Sequence, residues 1–493
     1  MLGNINGSQH PAGKPQLRPY QVDLIDRLRH SYRTGHRAPI MQGATGMGKT
    51  VVFSNIIDGA QAKGNSTLVV VHRRELISQS SRKLTDFGVP HGIIAAGLHA
   101  NHDAPVQVAS IQTLNASGKW IGGKLPKFDL IVLDEAHHTR AETWRKLIED
   151  QPGAKLLGCT ATPARLDGKG LGKHCDGFFD DLVLGPSTAD LIRGGYLSPV
   201  KCFVPPIRIN RDDLSIRSGD FAQDDVARHM VARKQEIFGD IISHYRRLAD
   251  RRPTIVFCPR VDFANDVANL FLSYGYRAAM VCGDTPKDER DRLIAGLGNG
   301  QIDVLTNCAL IDEGLDVPVV GAVILLRPTK SLVLHRQQIG RGMRPADGKD
   351  ALIVIDHVGN VLEHGSPEDE PLWSLDGVEK KSGDGLAPIW VCPDCGCANP
   401  AGVKYCRACG CVHDAKSDPV LAQAIDAQLV AYQAHQDAIA RVVRMSHNRA
   451  IKAILTGTFK KHEIYDIALR RGHKPGWAWH RCEELKAEGR LRY

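Results

Sequence analysis

The sequence predicts an α/β protein with two tandem parallel-sheet domains, followed by a small cysteine-rich module and a helical C-terminal region. Three observations carry this. Two long blocks alternate short apolar runs with helical stretches, the rhythm of βαβ units in a parallel sheet. The first block holds the loop Gly43-Ala44-Thr45-Gly46-Met47-Gly48-Lys49-Thr50 and, further on, Asp134-Glu135-Ala136-His137. Two Cys-x-x-Cys pairs stand beyond the second block, at Cys392 and Cys395 and at Cys406 and Cys409.

Residues 1–16 are polar and are expected to be a flexible N-terminus. The first block, 17–200, has strand candidates at 38–41, 67–71, 106–110, 130–133 and 156–159. Each ends in a polar or Gly-containing loop, and ligands of such sheets bind beyond the carboxyl ends of the strands. A charged, less regular stretch at 201–233 is expected to be a connector. The second block, 234–361, has strand candidates at 254–258, 278–282, 304–306, 322–326 and 351–355. A Gly-, Ser-, Pro- and acid-rich stretch at 362–389 predicts a linker. The four-cysteine module follows at 390–415, and a basic helical region occupies 416–493.

The loop Gly43–Thr50 fits G-x-x-x-x-G-K-[ST]. Its glycines allow backbone N–H groups to turn inward around phosphate oxygens. Lys49 is expected to reach the β and γ phosphates of ATP, and Thr50 to hold Mg²⁺. The apolar run Leu130-Ile131-Val132-Leu133 predicts a buried strand that delivers Asp134 to Mg²⁺ and Glu135 to the attacking water.

The chain has 493 residues, 43% hydrophobic and 24% charged, which is ordinary for a soluble globular protein of about three domains. No apolar run approaches the ~18 residues of a membrane span. The N-terminus lacks the apolar core of a signal peptide, so no membrane partner and a cytoplasmic location, nucleoid-associated in a bacterium or phage-infected cell, are expected. The formal net charge of +8 favours a polyanionic partner, and the basic excess is concentrated in 441–493. Of the thirteen cysteines, Cys159, Cys258 and Cys308 sit in apolar runs and are expected to be reduced core residues.

The two blocks, in order and without large gaps over 17–360, resemble the superfamily 2 helicases and translocases. The resemblance implies two RecA-like domains that bracket ATP, and it assigns the smaller motifs. Leu17-Arg18-Pro19-Tyr20-Gln21 is similar to the adenine-sensing motif, with Arg18 on the base and Gln21 at its edge; it also fits a plain helix start with Pro near N1. Val71-His72-Arg73-Arg74-Glu75-Leu76 and Ser110-Ile111-Gln112-Thr113 resemble the strand-tracking motifs, which implies nucleic-acid contacts for Arg73, Arg74, Ser110, Gln112 and Thr113. Thr160-Ala161-Thr162-Pro163 resembles the coupling motif, joining His137 to the second domain through Thr160 and Thr162; a strand-to-helix turn fits it as well.

In the second block, Thr306-Asn307 with Glu313-Gly314-Leu315-Asp316 resembles the motif that touches both polymers: Thr306 and Asn307 the nucleic acid, Gly314 and Asp316 the nucleotide. Gln337-Gln338-Ile339-Gly340-Arg341-Gly342-Met343-Arg344 is similar to the arginine-finger motif, so Gln337, Arg341 and Arg344 are expected to act in hydrolysis. An arginine from a second domain that meets the charge spreading over the γ oxygens is worth about 10³–10⁵ in rate. Gln338 departs from the family, where arginine is common.

Cys392, Cys395, Cys406 and Cys409 have the spacing of two knuckles around one structural Zn²⁺, with Gly396 and Gly410 after each pair. A disulfide framework suits a secreted chain instead. A zinc-ribbon-like module results, with Cys397 and Cys411 left over. In the tail, interleaved basic and aromatic residues at 447–479 suit backbone contacts and base stacking, or a small solvated bundle with tryptophans in its core. Core, acidic linker and Cys-x-x-Cys pairs together resemble the bacterial RadD-like DNA-repair helicases, a likeness that Gly283-Asp284-Thr285-Pro286, Leu326-Arg327-Pro328-Thr329 and Ile355-Asp356-His357-Val358-Gly359-Asn360 support. The resemblance implies an ATP-dependent helicase or translocase on single-stranded or branched DNA, with a repair or replication protein as partner. An RNA helicase, or an ATP-gated DNA clamp that recruits a partner through the zinc module and tail, are the alternatives.

Overall fold

A computed structural model describes residues 14–490 except 73, 96–100, 117–124, 140–141, 166–168, 205–213, 218–219, 223–224, 227, 230–233, 309–318, 378–388, 414–441, 457–458, 460–463, 465–466, 469–470, 474 and 489. The chain divides into two compact units, 1–412 and 413–493.

The first domain of the larger unit is a seven-stranded sheet in the order β3-β4-β2-β5-β6-β1-β7, parallel throughout. Its strands are β1 (Pro39–Gln42), β2 (Thr67–Val71), β3 (Gly92–Ile94), β4 (Val106–Ser110), β5 (Leu130–Asp134), β6 (Lys155–Thr160) and β7 (Asp181–Leu184). The central strands are buried on both faces, which is why they are apolar runs rather than alternating ones. Strand β6 lies between β5 and β1, so the loops leaving β1 and β5 emerge two strand spacings apart, roughly 10 Å. That order brings the phosphate loop and Asp134 together. Helix α1 (Pro19–Arg33) packs on this domain through Leu24, Ile25 and Leu28, and helix α2 (Lys49–Gln61) starts directly from the phosphate loop.

The second sheet has eight strands in the order β12-β13-β11-β14-β15-β8-β17-β16. Strands β11 (Thr254–Phe257), β12 (Ala278–Val281), β13 (Val304–Asn307), β14 (Ala322–Leu325) and β15 (Leu352–Asp356) fall on the expected runs. Strand β8 (Val200–Phe203) pairs in parallel with β15, Leu352 opposite Val200, so the chain has already entered the second domain where a connector was expected from 201. Four residues with a half-buried Lys201 are too short to announce a strand by pattern. The rest of that segment holds a short hairpin, β9 (Ile216–Arg217) and β10 (Asp220–Phe221), whose Asp220 carboxylate accepts from Thr329 Oγ1 at 2.9 Å.

Two further boundaries move. The cysteine-rich module is not a separate bead: β16 (Ile389–Val391) and β17 (Cys397–Pro400) form an antiparallel hairpin, and β17 pairs with β8, Cys397 opposite Phe203. The predicted linker is anchored over residues 365–377, where main-chain amides of the first domain and the Arg336 side chain of the second donate to its oxygens. Its composition resembled a tether because carboxylates and main-chain carbonyls serve equally well in solvent or as acceptors.

Considered by itself, the C-terminal unit packs Ala450 and Ile454 of α12 (His447–Ile454) with Ile464, Ile467 and, from α13 (Pro475–Ala487), Cys482 and Leu485. Arg471 Nη1 donates to the carbonyls of Val442, Val443 and Met445 at 2.7–2.8 Å. Trp477 stacks on His473 with ring centroids 4.4 Å apart, whereas Trp479 is half exposed. Among the described residues, no helix is long and apolar enough to cross a membrane.

Candidate active site

The phosphate loop leaves β1 and closes onto α2 through Gly46 and Gly48, at φ of 92° and 89°, a region open to glycine and strained for other residues. A Cβ on Gly48 would also lie 2.7 Å from Gln21 Nε2. Lys49 is partly buried, and its Nζ donates to the Gly43 carbonyl at 3.0 Å. Thr50 follows in the first turn of α2, whose free N–H groups and dipole suit an anion. Ala44 and Thr45 form the wall that faces the second domain.

Asp134 ends β5, and its Oδ1 accepts from the Glu135 amide at 3.0 Å. Glu135 itself is left-handed, φ 48° and ψ 53°, a conformation that costs a non-glycine residue roughly 1–2 kcal/mol. Strain of this kind concentrates at functional sites, and here it turns the carboxylate toward His137, whose Nδ1 lies 3.4 Å from Glu135 Oε2 and 3.1 Å from Thr160 Oγ1. Thr160 Oγ1 donates to the Thr162 carbonyl and accepts from the Thr162 amide, at 2.9 and 3.2 Å. The other ring nitrogen of His137, Nε2, accepts from Gln337 Nε2 at 3.5 Å. The Glu135–His137–Thr160 cluster of the first domain thus touches the second domain through one residue of its helix α10 (Leu332–Gly340).

That helix rests on the phosphate loop: a Cβ on Gly340 would lie 2.5 Å from Thr45 Cβ. Arg341 follows it, near enough to Lys49 and Asp134 for its charge to bear on both. Arg344 is partly buried, and desolvation lowers its pKa. The arginine turn is fastened from both sides. Ser198 N donates to the Met343 carbonyl at 2.7 Å, and Lys349 Nζ donates to the carbonyls of Gly342 and Arg344.

Burial opposes the charge on Lys49, Asp134 and Arg344. Desolvation pushes Lys49 down, while desolvation and the adjacent Glu135 raise Asp134 to about 7. A polyphosphate with a divalent cation would give the lysine and arginine an anion and the carboxylates a cation, so the donor set fits both groups.

Gln21 is tied into the protein: its Nε2 donates to the Met47 carbonyl at 3.1 Å, and its Oε1 accepts from Arg18 N at 3.0 Å. Tyr20 also donates to Met47 O, at 2.8 Å, and Arg18 lies over Tyr196, 4.9 Å from the ring centroid. Gln21 therefore braces the loop that carries Lys49. Tyr20 and Tyr196 are neighbours that the sequence did not single out.

Of the residues assigned to nucleic acid, Ser110, Gln112 and Thr113 stand at the carboxyl end of β4, Ser110 Oγ donating to Gln112 Oε1 at 2.7 Å and Gln112 to the His72 carbonyl. Arg74 opens helix α3 (Arg74–Asp86). Arg73, Gly314 and Asp316 lie outside the described residues. Thr306 and Asn307 are corrected. Both are fully buried, Thr306 Oγ1 donating to the Ala264 carbonyl at 2.8 Å and Asn307 Nδ2 to the Val256 carbonyl at 2.9 Å, so their side chains hold the second domain together.

The sulfurs of Cys392, Cys395, Cys406 and Cys409 lie within 4.8 Å of one another, with 3.6 Å between Cys392 and Cys409 and between Cys395 and Cys406. Zn–S bonds of about 2.3 Å in a tetrahedron put sulfurs nearly 3.8 Å apart, so the four match a zinc site. The two halves repeat. Gly396 and Gly410 adopt φ of 76° and 77°, and each donates its N–H to the first cysteine of its pair at 2.9 Å. Within this coupled cluster the Cys406 thiol is drawn down, although desolvation raises it, by the amides of Cys409 and Ala408 and the side chain of Asn399, while burial pushes the Cys395 thiol up. Cys397 is buried in β17.

Two sheet domains that bracket a phosphate loop, with an arginine carried across from the second, define a helicase-type ATPase core. The family model described as type III restriction enzyme, res subunit, matches residues 14–165, and that of the helicase conserved C-terminal domain matches 233–346, together more than half of the chain. The chain is 36% identical to a 51.5 kDa protein of a Lactococcus phage (isolate 7-9), over 76% of this chain and 78% of that protein. It is 31% identical to the putative ATP-dependent helicase IRC3 of Saccharomyces cerevisiae, over 70% of this chain and 52% of the yeast protein, so it spans about half of that relative. It is 24% identical to the DNA 3'-5' translocase XPB2 of Sulfurisphaera tokodaii, over 69% of this chain and 81% of that protein. The chain belongs to the superfamily 2 helicases.

Proposed function

We propose that this protein is a DNA-dependent ATPase that couples hydrolysis to movement on, or remodelling of, single-stranded or branched DNA in repair, recombination or replication. One observation carries the reading: Gln337 and Gly340 of the second domain reach His137 and Thr45 of the first, and Arg341 stands next in the chain. Hydrolysis then depends on the two domains being together, and a polymer gripped by both can be moved by their opening and closing.

In this reading the N–H groups of Gly43–Thr50 and Lys49 bind the β and γ phosphates. Thr50 and Asp134 hold Mg²⁺, which supplies neutralising charge at those oxygens. Glu135 orients the attacking water and takes its proton, with His137 fixing the carboxylate. Arg341 and Arg344 meet the charge that grows on the γ oxygens. His137, Thr160 and Gln337 link hydrolysis to domain position. Cys392, Cys395, Cys406 and Cys409 hold one structural Zn²⁺, a closed site with no position for substrate. DNA rather than RNA is supported by the name of the archaeal relative, while the basic tail suits either polyanion.

The test is steady-state ATP hydrolysis with Glu135→Gln beside the natural protein. The variant is expected to bind ATP while losing at least about 10²-fold in kcat. Equal turnover in the two would remove Glu135 from the mechanism.

A further inference from the structure

Residues 365–377 run from the end of the second domain across to the first. On the second domain, His335 Nε2 meets the Gly365 carbonyl at 3.2 Å, and Arg336 donates to the carbonyls of Pro367 and Asp369 at 3.3 and 2.7 Å. The Arg336 guanidinium also lies over Trp373, 5.6 Å from the ring centroid. On the first domain, the Gly172 amide donates to the Leu375 carbonyl at 3.0 Å, Lys169 and Gly377 form an antiparallel bridge, and His174 meets Asp376 at 2.5 Å.

Both domains meet at one atom. Glu370 Oε1 accepts from Thr188 N at 2.9 Å and from Thr188 Oγ1, at the start of helix α6 (Thr188–Arg193) of the first domain. The same oxygen lies 3.7 Å from Arg336 Nη1, on α10 of the second. The Arg336 and Glu370 side chains are only 10% and 14% exposed. Thr188, Arg336 and Pro367 line the same cavity as Thr45 and Gly340, the two walls of the candidate active site. Arg336 directly precedes Gln337, and the arginine turn follows at the end of the same helix.

We propose that 365–377 is a clasp that sets the distance between the phosphate loop and α10, and that Glu370, Thr188 and Arg336 are positioning residues for ATP hydrolysis. This rests on the ATPase reading above. A carboxylate oxygen shared between a helix N-terminus and a buried guanidinium fixes both partners in direction as well as distance. Loss of its charge frees α10 relative to the loop, and misplacement of about 1 Å can cost 10²-fold in rate. Arg407, between the cysteines of the second knuckle, pairs with Glu368 at 2.9 Å, so the zinc module holds the same clasp.

The experiment compares the full chain with Glu370→Gln, Thr188→Val and the double variant. It measures DNA-stimulated kcat and KM for ATP, thermal melting, and the radius of gyration by X-ray scattering without nucleotide. The expected result is a fall in kcat of about tenfold or more in each single variant, KM within threefold on the order of experimental scatter, and melting retained. The double variant should be no slower than the slower single one, because both remove one junction. The radius of gyration should increase. A kcat within about twofold of the natural protein, a rise in KM alone, or superimposable scattering curves would each overturn the clasp. Absence of ATP hydrolysis by the natural protein with every nucleic acid would instead remove the ATPase reading, and scattering would then decide the clasp by itself.

Discussion

Gly340→Ala places one methyl group between the two walls of the site. Its Cβ would sit 2.5 Å from Thr45 Cβ and 2.9 Å from Thr45 Cγ2. Carbon atoms rest at about 3.5–4.0 Å, so the walls must separate by about 1 Å or more, and Thr45 Cβ cannot swing aside because it is fixed to the loop backbone. Within α10 itself alanine is favoured over glycine by ~1 kcal/mol, so the second domain should not lose stability. Arg341 adjoins the substituted position and moves with it. The expected outcome is a fall in kcat of about 10²-fold, with ATP binding nearly unchanged, since Lys49 and the loop amides belong to the first domain. Steady-state hydrolysis with saturating DNA, binding of a fluorescent ATP analogue and thermal melting together read this out. A variant with the natural kcat would refute the idea that hydrolysis requires the two walls at their present separation.

Other perturbations follow from the same contacts. The purified chain should carry one zinc per molecule by elemental analysis, and Cys406→Ser should lose it. Because β17 extends the second sheet, that loss should also lower the melting temperature by several degrees, roughly 2–4 °C per kcal/mol. Melting of the domain as in the natural protein would separate the module from the sheet. Asp303, held by the Arg277 guanidinium, has its carboxyl below the usual range. Its stabilisation is therefore present at neutral pH and lost on acidification below about pH 4 as the folded-state carboxylate takes up its proton; melting of Asp303→Asn should vary less with pH over that window. Lys349→Met should leave the carbonyls of Gly342 and Arg344 without their ammonium donor and lower kcat more than it lowers melting, measured side by side.

Much of the site was legible because its parts are consecutive. Gly43–Thr50 and Asp134–His137 declare themselves within a few residues, and the buried strands that carry them are apolar runs. What brings them together, the placement of β6 between β5 and β1, is a matter of strand order and leaves no mark on either motif. Thr306 and Asn307 were misplaced for a related reason: in a strand buried on both faces, pattern cannot tell which way a polar side chain turns. The clasp was not legible at all. Thr188, Arg336 and Glu370 are far apart in sequence and ordinary in type, and their stretch has the composition of a tether. The cysteine pairs announced a cluster of four sulfurs but not the pairing of its hairpin with β8, because β8 itself is only four residues long.

The most direct test of the central claim is the ATP hydrolysis rate with no nucleic acid and with single-stranded DNA, duplex DNA, forked DNA and RNA of matched length, with Lys49→Ala as control. The expected result is strong stimulation by DNA, more by single-stranded or forked DNA than by duplex, little by RNA, and none in Lys49→Ala. A rate that no polymer changes, or stimulation by RNA alone, would contradict it.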